Sequence, residues 1–258
     1  MTLAALGVFA LSAQGFAGYG ADAPPSIVEL PVEALLAPPV GFDDNDNIEV
    51  VLYGTLPNAC YTLGEYTTEI VKETSKVRIR QYAIKNNTGF CAQGAAIPPH
   101  MQMEIPFMTE VAIGHLPSGD YDFEYTKMGG GDGSRDLNVA KAESAAVDTK
   151  PYAAVWNASV KEILRPDDNL VVTLSGMLNS TCTELDPNVG VKKYPDTFIL
   201  MPVVTLREDV ICAQVLIPFE TTVNLGKVDP GHYLVHTRSM SGKSVNRVVR
   251  VEAISASR

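Results

Sequence analysis

The segment from Cys212 to Tyr233, CAQVLIPFETTVNLGKVDPGHY, restates much of a segment that begins at Cys91, and this internal repeat constrains the fold more than any other feature. From Pro106 to Tyr121 and from Pro218 to Tyr233 the two copies run without a gap: Pro-Phe, then Val-x-Ile/Leu-Gly, then Gly-x-Tyr. At 258 residues the chain is long enough for one large domain or for two of about 100–130 residues, and the repeat selects two. The expected organisation is a leader over 1–23, a β-sandwich over 24–143, a linker over 144–149 and a second sandwich over 150–258.

All four cysteines belong to the repeat, Cys60 with Cys91 and Cys182 with Cys212, at nearly equal separations. Equal spacing implies one disulfide per domain. Of the three connectivities, pairing within each copy is favoured because it asks nothing of the domain interface. Disulfides persist in oxidising compartments, which agrees with the N-terminus. There the first 17 residues form an apolar run too short to span a bilayer comfortably, followed by Ala21-Asp22-Ala23, an A-x-A cleavage pattern. No Lys or Arg precedes the run, unlike a standard leader, and a buried N-terminal helix is the competing reading. A secreted or periplasmic location is expected, with no membrane span once the leader is removed. A net charge of −10 without a basic run leaves nothing to neutralise phosphates, so nucleic acid and anionic membrane surfaces are excluded as partners.

Period-two alternation marks the strands. Ile48, Val50 and Leu52 match Leu170, Val172 and Leu174, and Val77-Arg78-Ile79-Arg80 has its counterpart at Phe198-Ile199-Leu200. Val32–Leu36 and Val160–Leu164 read as equivalent first strands. Each is followed by an Asp/Asn loop, Asp43–Asn47 and Asp167–Asn169, of the kind that connects strands. Asp43, Asn45 and Asn47 resemble the start of a calcium loop, but the later Gly and Glu are missing. No segment has helical periodicity, so the chain is expected to be all-β.

With these residues assembled, the chain resembles a type of bacterial secreted repeat in which a strand ending in G-x-L-P-x-x-C is followed by a C-A-x…P-F-E segment and closed by G-x-Y. The pieces here are Gly54 to Cys60, Cys91-Ala-Gln93, Cys212-Ala-Gln214 and Pro218-Phe-Glu220. The resemblance implies tandem immunoglobulin-like sandwiches in an extracytoplasmic protein, and no particular activity.

Chemistry is sparse. His232 and His236 have the spacing of a helical metal pair, but in a strand their rings stand roughly 13 Å apart, too far to share an ion. G-x-S-x-G and H-E-x-x-H are absent, and the thiols are committed to disulfides. No catalytic residue, metal or cofactor is expected. The leading expectation is a non-enzymatic protein that binds a protein or envelope component. One alternative is a hydrolase inhibitor using a protruding loop, either Gly129–Ser134 or the insertion after Cys91; the other is a glycan-acting enzyme with an interdomain site.

One asymmetry distinguishes the copies. Placing Tyr121, Phe123 and Tyr125 inward beside Tyr233, Val235 and Thr237 turns Asp120, Asp122 and Glu124 outward in the first copy, and His232, Leu234, His236 and Arg238, beside Arg250, outward in the second. Residues 24–143 carry 17 acidic and 8 basic side chains, against 12 and 12 over 144–258. The second face is therefore expected to dock an acidic surface, either the first domain of a neighbouring chain or an anionic partner, more firmly as the histidines protonate near pH 6. Two unrelated solvated faces are the competing expectation.

Overall fold

The computed structural model of the chain describes residues 22–148, 150–165 and 167–253, so the leader assigned to 1–23 lies almost wholly outside the described residues. The first half contains β1 (Ser26–Glu29), β2 (Ala34–Leu36), β3 (Phe42–Asp43), β4 (Ile48–Leu56), β5 (Tyr61–Val71), β6 (Lys76–Lys85), β7 (Ile105–Gly114), β8 (Gly119–Thr126) and β9 (Asp132–Ala140). One sheet runs β1-β6-β8-β9-β3 with β5 paired to the other side of β6, and the facing sheet runs β2-β4-β7. The second half contains β10 (Ala154–Val160), β11 (Ile163–Leu164), β12 (Leu170–Leu178), β13 (Thr183–Leu185), β14 (Gly190–Lys193), β15 (Thr197–Met201), β16 (Val204–Leu206), β17 (Ile217–Gly226), β18 (Gly231–Ser239) and β19 (Lys243–Val251). Its sheets run β10-β12-β17 and β11-β19-β18-β15-β14, with β13-β16 a separate ribbon. The protein is all-β.

Each half encloses its own core. Ile48, Val50, Leu52, Val77, Ile79, Val111 and Phe123 fill the first. Leu170, Val172, Leu174, Phe198, Leu200, Val235 and Val249 fill the second. These are the residues that the alternation selects, because successive strand side chains point to opposite sheet faces. Two pairings depart from the antiparallel rule of immunoglobulin sandwiches: β6 runs parallel to β8 as β15 does to β18, and β3 runs parallel to β9 as β11 does to β19. Outside the β6–β8 and β15–β18 pairs, β5 and β14 lie antiparallel to β6 and β15 as edges.

Two local devices recur. Gly54 stands opposite Phe107 in register and Gly176 opposite Phe219, so the Phe of each Pro-Phe pair lies over a glycine that leaves room for its ring. The tyrosine of each Gly-x-Tyr donates its hydroxyl hydrogen bond to a carbonyl four residues upstream, Tyr121 to Pro117 and Tyr233 to Asp229, both at 2.9 Å. This is the geometry of a tyrosine corner. Cys60 is bonded to Cys91 and Cys182 to Cys212.

The match between Val32–Leu36 and Val160–Leu164 is corrected. β2 and β10 are the counterparts, each antiparallel to the central strand of its three-stranded sheet, whereas β11 corresponds to β3, each parallel to the last strand of its half. Phe42 is thus the counterpart of Leu164, six residues before Ile48 as Leu164 is before Leu170. A two-residue strand is too short for alternation to register.

Candidate functional site

The two sandwiches meet face to face. In β18, Tyr233, Val235 and Thr237 turn into the second core, and His232, Leu234, His236 and Arg238 turn the other way, onto the β2-β4-β7 sheet of the first half and the β3 segment beside it. Leu234 and Val248 pack with Leu36 and Val51, flanked by Ala34, Tyr53 and Met108. β4 consequently has apolar residues on both faces. Val51 is 1% exposed, while the corresponding outward face of β12 carries Val171, 40% exposed, and Thr173.

Polar groups frame this apolar contact. His236 is 2% exposed, its Nδ1 lies 2.8 Å from Asn246 Oδ1, and the Phe42 ring stands edge-on at 6.2 Å between centroids. Burial pushes the imidazole down to about 3, with the Arg238 charge acting the same way. His232 tilts against Tyr53 at 4.8 Å and has Nε2 3.5 Å from Glu33, yet burial lowers its pKa more than Glu33 raises it. Arg238 covers the Phe42 ring at 5.3 Å and donates to the Gly41 carbonyl. Ser244 donates to Glu49 at 2.8 Å. Arg135 of β9 reaches across to Asp196 and donates to the Ala37 carbonyl at 2.8 Å. Burial acts to raise the Asp196 carboxyl, but the Arg135 guanidinium overrides it and holds the group below the usual range.

The docking expectation is corrected on three points. The His232, His236 and Arg238 face is covered by the first half of its own chain, so it is not free to receive a neighbouring one. Its partner is the β2-β4-β7 sheet rather than the acidic strand β8. There Lys76 pairs with Asp122 at 3.6 Å and with Glu124, Arg78 donates to Glu124 at 3.1 Å, and Asp120 accepts from Asn138 at 2.7 Å. Cations on the adjacent strand thus answer the carboxylates within their own sheet. The sign of the pH effect is also reversed, because both histidines are held neutral by burial and protonation opposes the contact. Arg250 remains exposed, opposite His232 on β19.

Beside the junction a cleft of about 270 Å³ is lined by Asp43, Asp46, Glu143, Asp148, Lys192 and Arg238, among others. The carboxylates converge, but three of them hold backbone. Asp46 accepts from Asp43 N at 3.0 Å and lies 3.8 Å from Arg238. Asp43 accepts from Asn45 N, and Asp148 from the amides of Ser241 and Gly242 in the β18–β19 turn. Burial raises the Asp46 carboxyl above its ordinary value. Among the described residues no group of three or more His, Cys, Asp or Glu is placed to hold a metal. The Gly129–Gly131 turn is closed by hydrogen bonds from Lys127 N to Gly131 O and from Gly130 N to Lys127 O, both 3.0 Å.

Val51, Tyr53, Glu33 and Phe42 were not singled out from the sequence. The signal that could have found the first two is the comparison of β4 with β12, where Val51 and Tyr53 stand in place of Thr173 and Ser175.

Together the fold and junction define a disulfide-containing protein of two packed β-sandwiches. Residues 172–247, from β12 into β19, match the family model described as the ORF11 beta-sandwich domain, to which this part of the chain is similar. No curated protein and no solved structure matches the chain. Among the described residues no helix is long and apolar enough to cross a membrane.

Proposed function

We propose that the chain is a secreted or periplasmic, non-enzymatic binding protein in which two sandwich domains act as one rigid body. The observation that supports this reading most is the junction itself. An apolar cluster ringed by cross-junction hydrogen bonds fixes the orientation of two disulfide-clamped scaffolds, leaving sheet edges and loops to make contacts. The test is expression with the chain's own N-terminus in a bacterial host, followed by fractionation, N-terminal sequencing, thiol titration and binding to envelope fractions. The expected result is cleavage near Ala23, no free thiols and saturable binding. A cytoplasmic chain with four free thiols, or a secreted one with no saturable binding, overturns the reading.

A glycan-acting enzyme is the second reading, and the convergence of Asp43, Asp46, Glu143 and Asp148 in one cleft favours it. Hydrolysis of oligosaccharides that Asp46→Asn abolishes would support this reading, and activity indifferent to Asp46→Asn would remove it.

A further inference from the structure

Among the described residues β7 is an edge strand, paired with β4 on one side only. Its parity follows from two hydrogen bonds. Glu33 N donates to Tyr53 O at 2.8 Å, so Tyr53 and Val51 direct their backbone groups toward β2, and Leu52 and Val50 direct theirs toward β7. Their partners Thr109 and Val111 bond inward, which leaves the amides and carbonyls of Met108 and Glu110 facing away from the sheet. Ala112 N donates to the Tyr66 hydroxyl at 3.3 Å instead of to a strand, which agrees with the same parity. Pro106, which has no N–H, falls on that side too, where proline is tolerated.

This open edge borders a groove of about 620 Å³ lined by Leu63, Gly64, Glu65, Tyr66, Met108, Thr109 and Glu110. Across the groove β5 is bulged at Gly64-Glu65, and the buried Gln81 side chain pins the bulge by donating to the Gly64 and Glu65 carbonyls at 2.9 and 3.2 Å. β5 and β7 do not pair with each other. The Thr109 hydroxyl is buried in the groove wall with no partner among the described residues. Glu65 and Glu110 flank the groove, and among the described residues neither enters an ion pair, unlike the carboxylates of β8.

We propose that this groove receives an extended basic peptide segment that adds to β7 as a further strand. The proposal rests on the binding-protein reading above and names its partner's chemistry. Backbone groups of the segment would pair with Met108 and Glu110, its Lys or Arg side chains would meet Glu65 and Glu110, and intervening apolar side chains, which point to the opposite face, would lie on Leu63 and Tyr66. Pairing at a sheet edge supplies affinity through main-chain hydrogen bonds, while alternate side chains supply specificity.

The probe is a blocked peptide of alternating lysine and valine, with two controls: alternating glutamate and valine, and the lysine–valine peptide with every backbone nitrogen methylated, which keeps the charge but lacks the backbone donors. In the full-length protein, amide exchange at Met108 and Glu110 is expected to slow when the lysine–valine peptide binds and to stay unchanged with either control. Glu110→Pro removes an edge donor without touching the β4 ladder, and should weaken binding about tenfold or more while the melting temperature holds. Should Glu110→Pro disturb folding, Glu65→Lys with Glu110→Lys serves instead and should reverse the preference toward the glutamate peptide. Equal binding of the N-methylated lysine–valine peptide, protection at Glu220 and Thr222 of β17 in place of β7, or no protection at saturating peptide would overturn the proposal. If envelope binding is saturable but β7 stays unprotected, the groove assignment fails while the binding reading stands.

Discussion

Gly176 illustrates how a single atom is excluded at the residue scale. A Cβ there would lie 2.3 Å from the Ala154 carbonyl and 2.5 Å from the Phe219 ring, distances that force backbone or ring to move. At Gly54 the nearest atoms are the Phe107 ring at 3.0 Å and Val32 Cα at 3.3 Å. Gly176→Ala should therefore cost roughly 1–3 kcal/mol in urea unfolding, as overpacking does, and Gly54→Ala distinctly less. Equal costs would show that the closer approach at Gly176 is not what sets them. His236 carries a second residue-scale consequence. It faces Asn246, Phe42 and Arg238, with Asp46 beyond Arg238, and its folded pKa of about 3 lies below the ordinary imidazole value. The unfolded chain then binds the proton first, so stability is full above about pH 6.5 and falls as pH drops toward 3, by up to about 1.4 kcal/mol per unit. Asp46, whose pKa is raised, acts in the opposite direction only at the acidic end, as pH falls through the carboxylate range. Urea titrations at pH 7.5 and 5 should show the loss, and His236→Gln should flatten it. An unchanged slope in that variant would assign the acid sensitivity elsewhere.

At the scale of elements, the sequence carried the architecture through repetition. The paired Gly and Phe, the Gly-x-Tyr corners and the cysteine spacing appear twice, and each repeat has a local cause that spacing can reveal. What repetition could not reveal is where the copies differ in use. β4 and β12 align residue for residue, yet one face of β4 is covered because Val51 and Tyr53 replace Thr173 and Ser175. Likewise the parallel pairing of β6 with β8 depends on which strand the post-cysteine hairpin lies beside, and neither alternation nor turn chemistry encodes that. The disulfides belong to this scale. Each closes a loop of similar span, with sequence separations of 31 and 30, so reduction of either should lower stability by roughly 3–4 kcal/mol in the chain-entropy model. Replacing Cys182 and Cys212 together with serine, compared with the same change at Cys60 and Cys91, should give similar losses in urea unfolding. A loss confined to one pair would mean that the reduced loop of the other is held by its own contacts.

At the scale of the whole molecule, the junction decides whether the halves unfold together. Two sandwiches joined only by a linker would melt independently, whereas here Leu36, Val51, Leu234 and Val248 form an apolar cluster to which each half contributes two buried side chains. Asn45 of the first half also donates to the carbonyls of Ser144 and Ala146, tying the connecting segment to the sandwich that precedes it. Val51→Ala and Leu234→Ala each remove methyl groups from this cluster, and Leu234→Ala should cost about 2–5 kcal/mol. Because the two residues share one cluster across the junction, the double variant should depart from the sum of the singles by about 0.5–3 kcal/mol. The wild-type protein should show one unfolding transition by far-UV dichroism and by Trp156 fluorescence, and the double variant should separate the two signals, since Trp156 reports on the second half alone. Strict additivity, or two transitions already in the wild type, would show that the halves do not support each other and that the rigid-body reading is wrong.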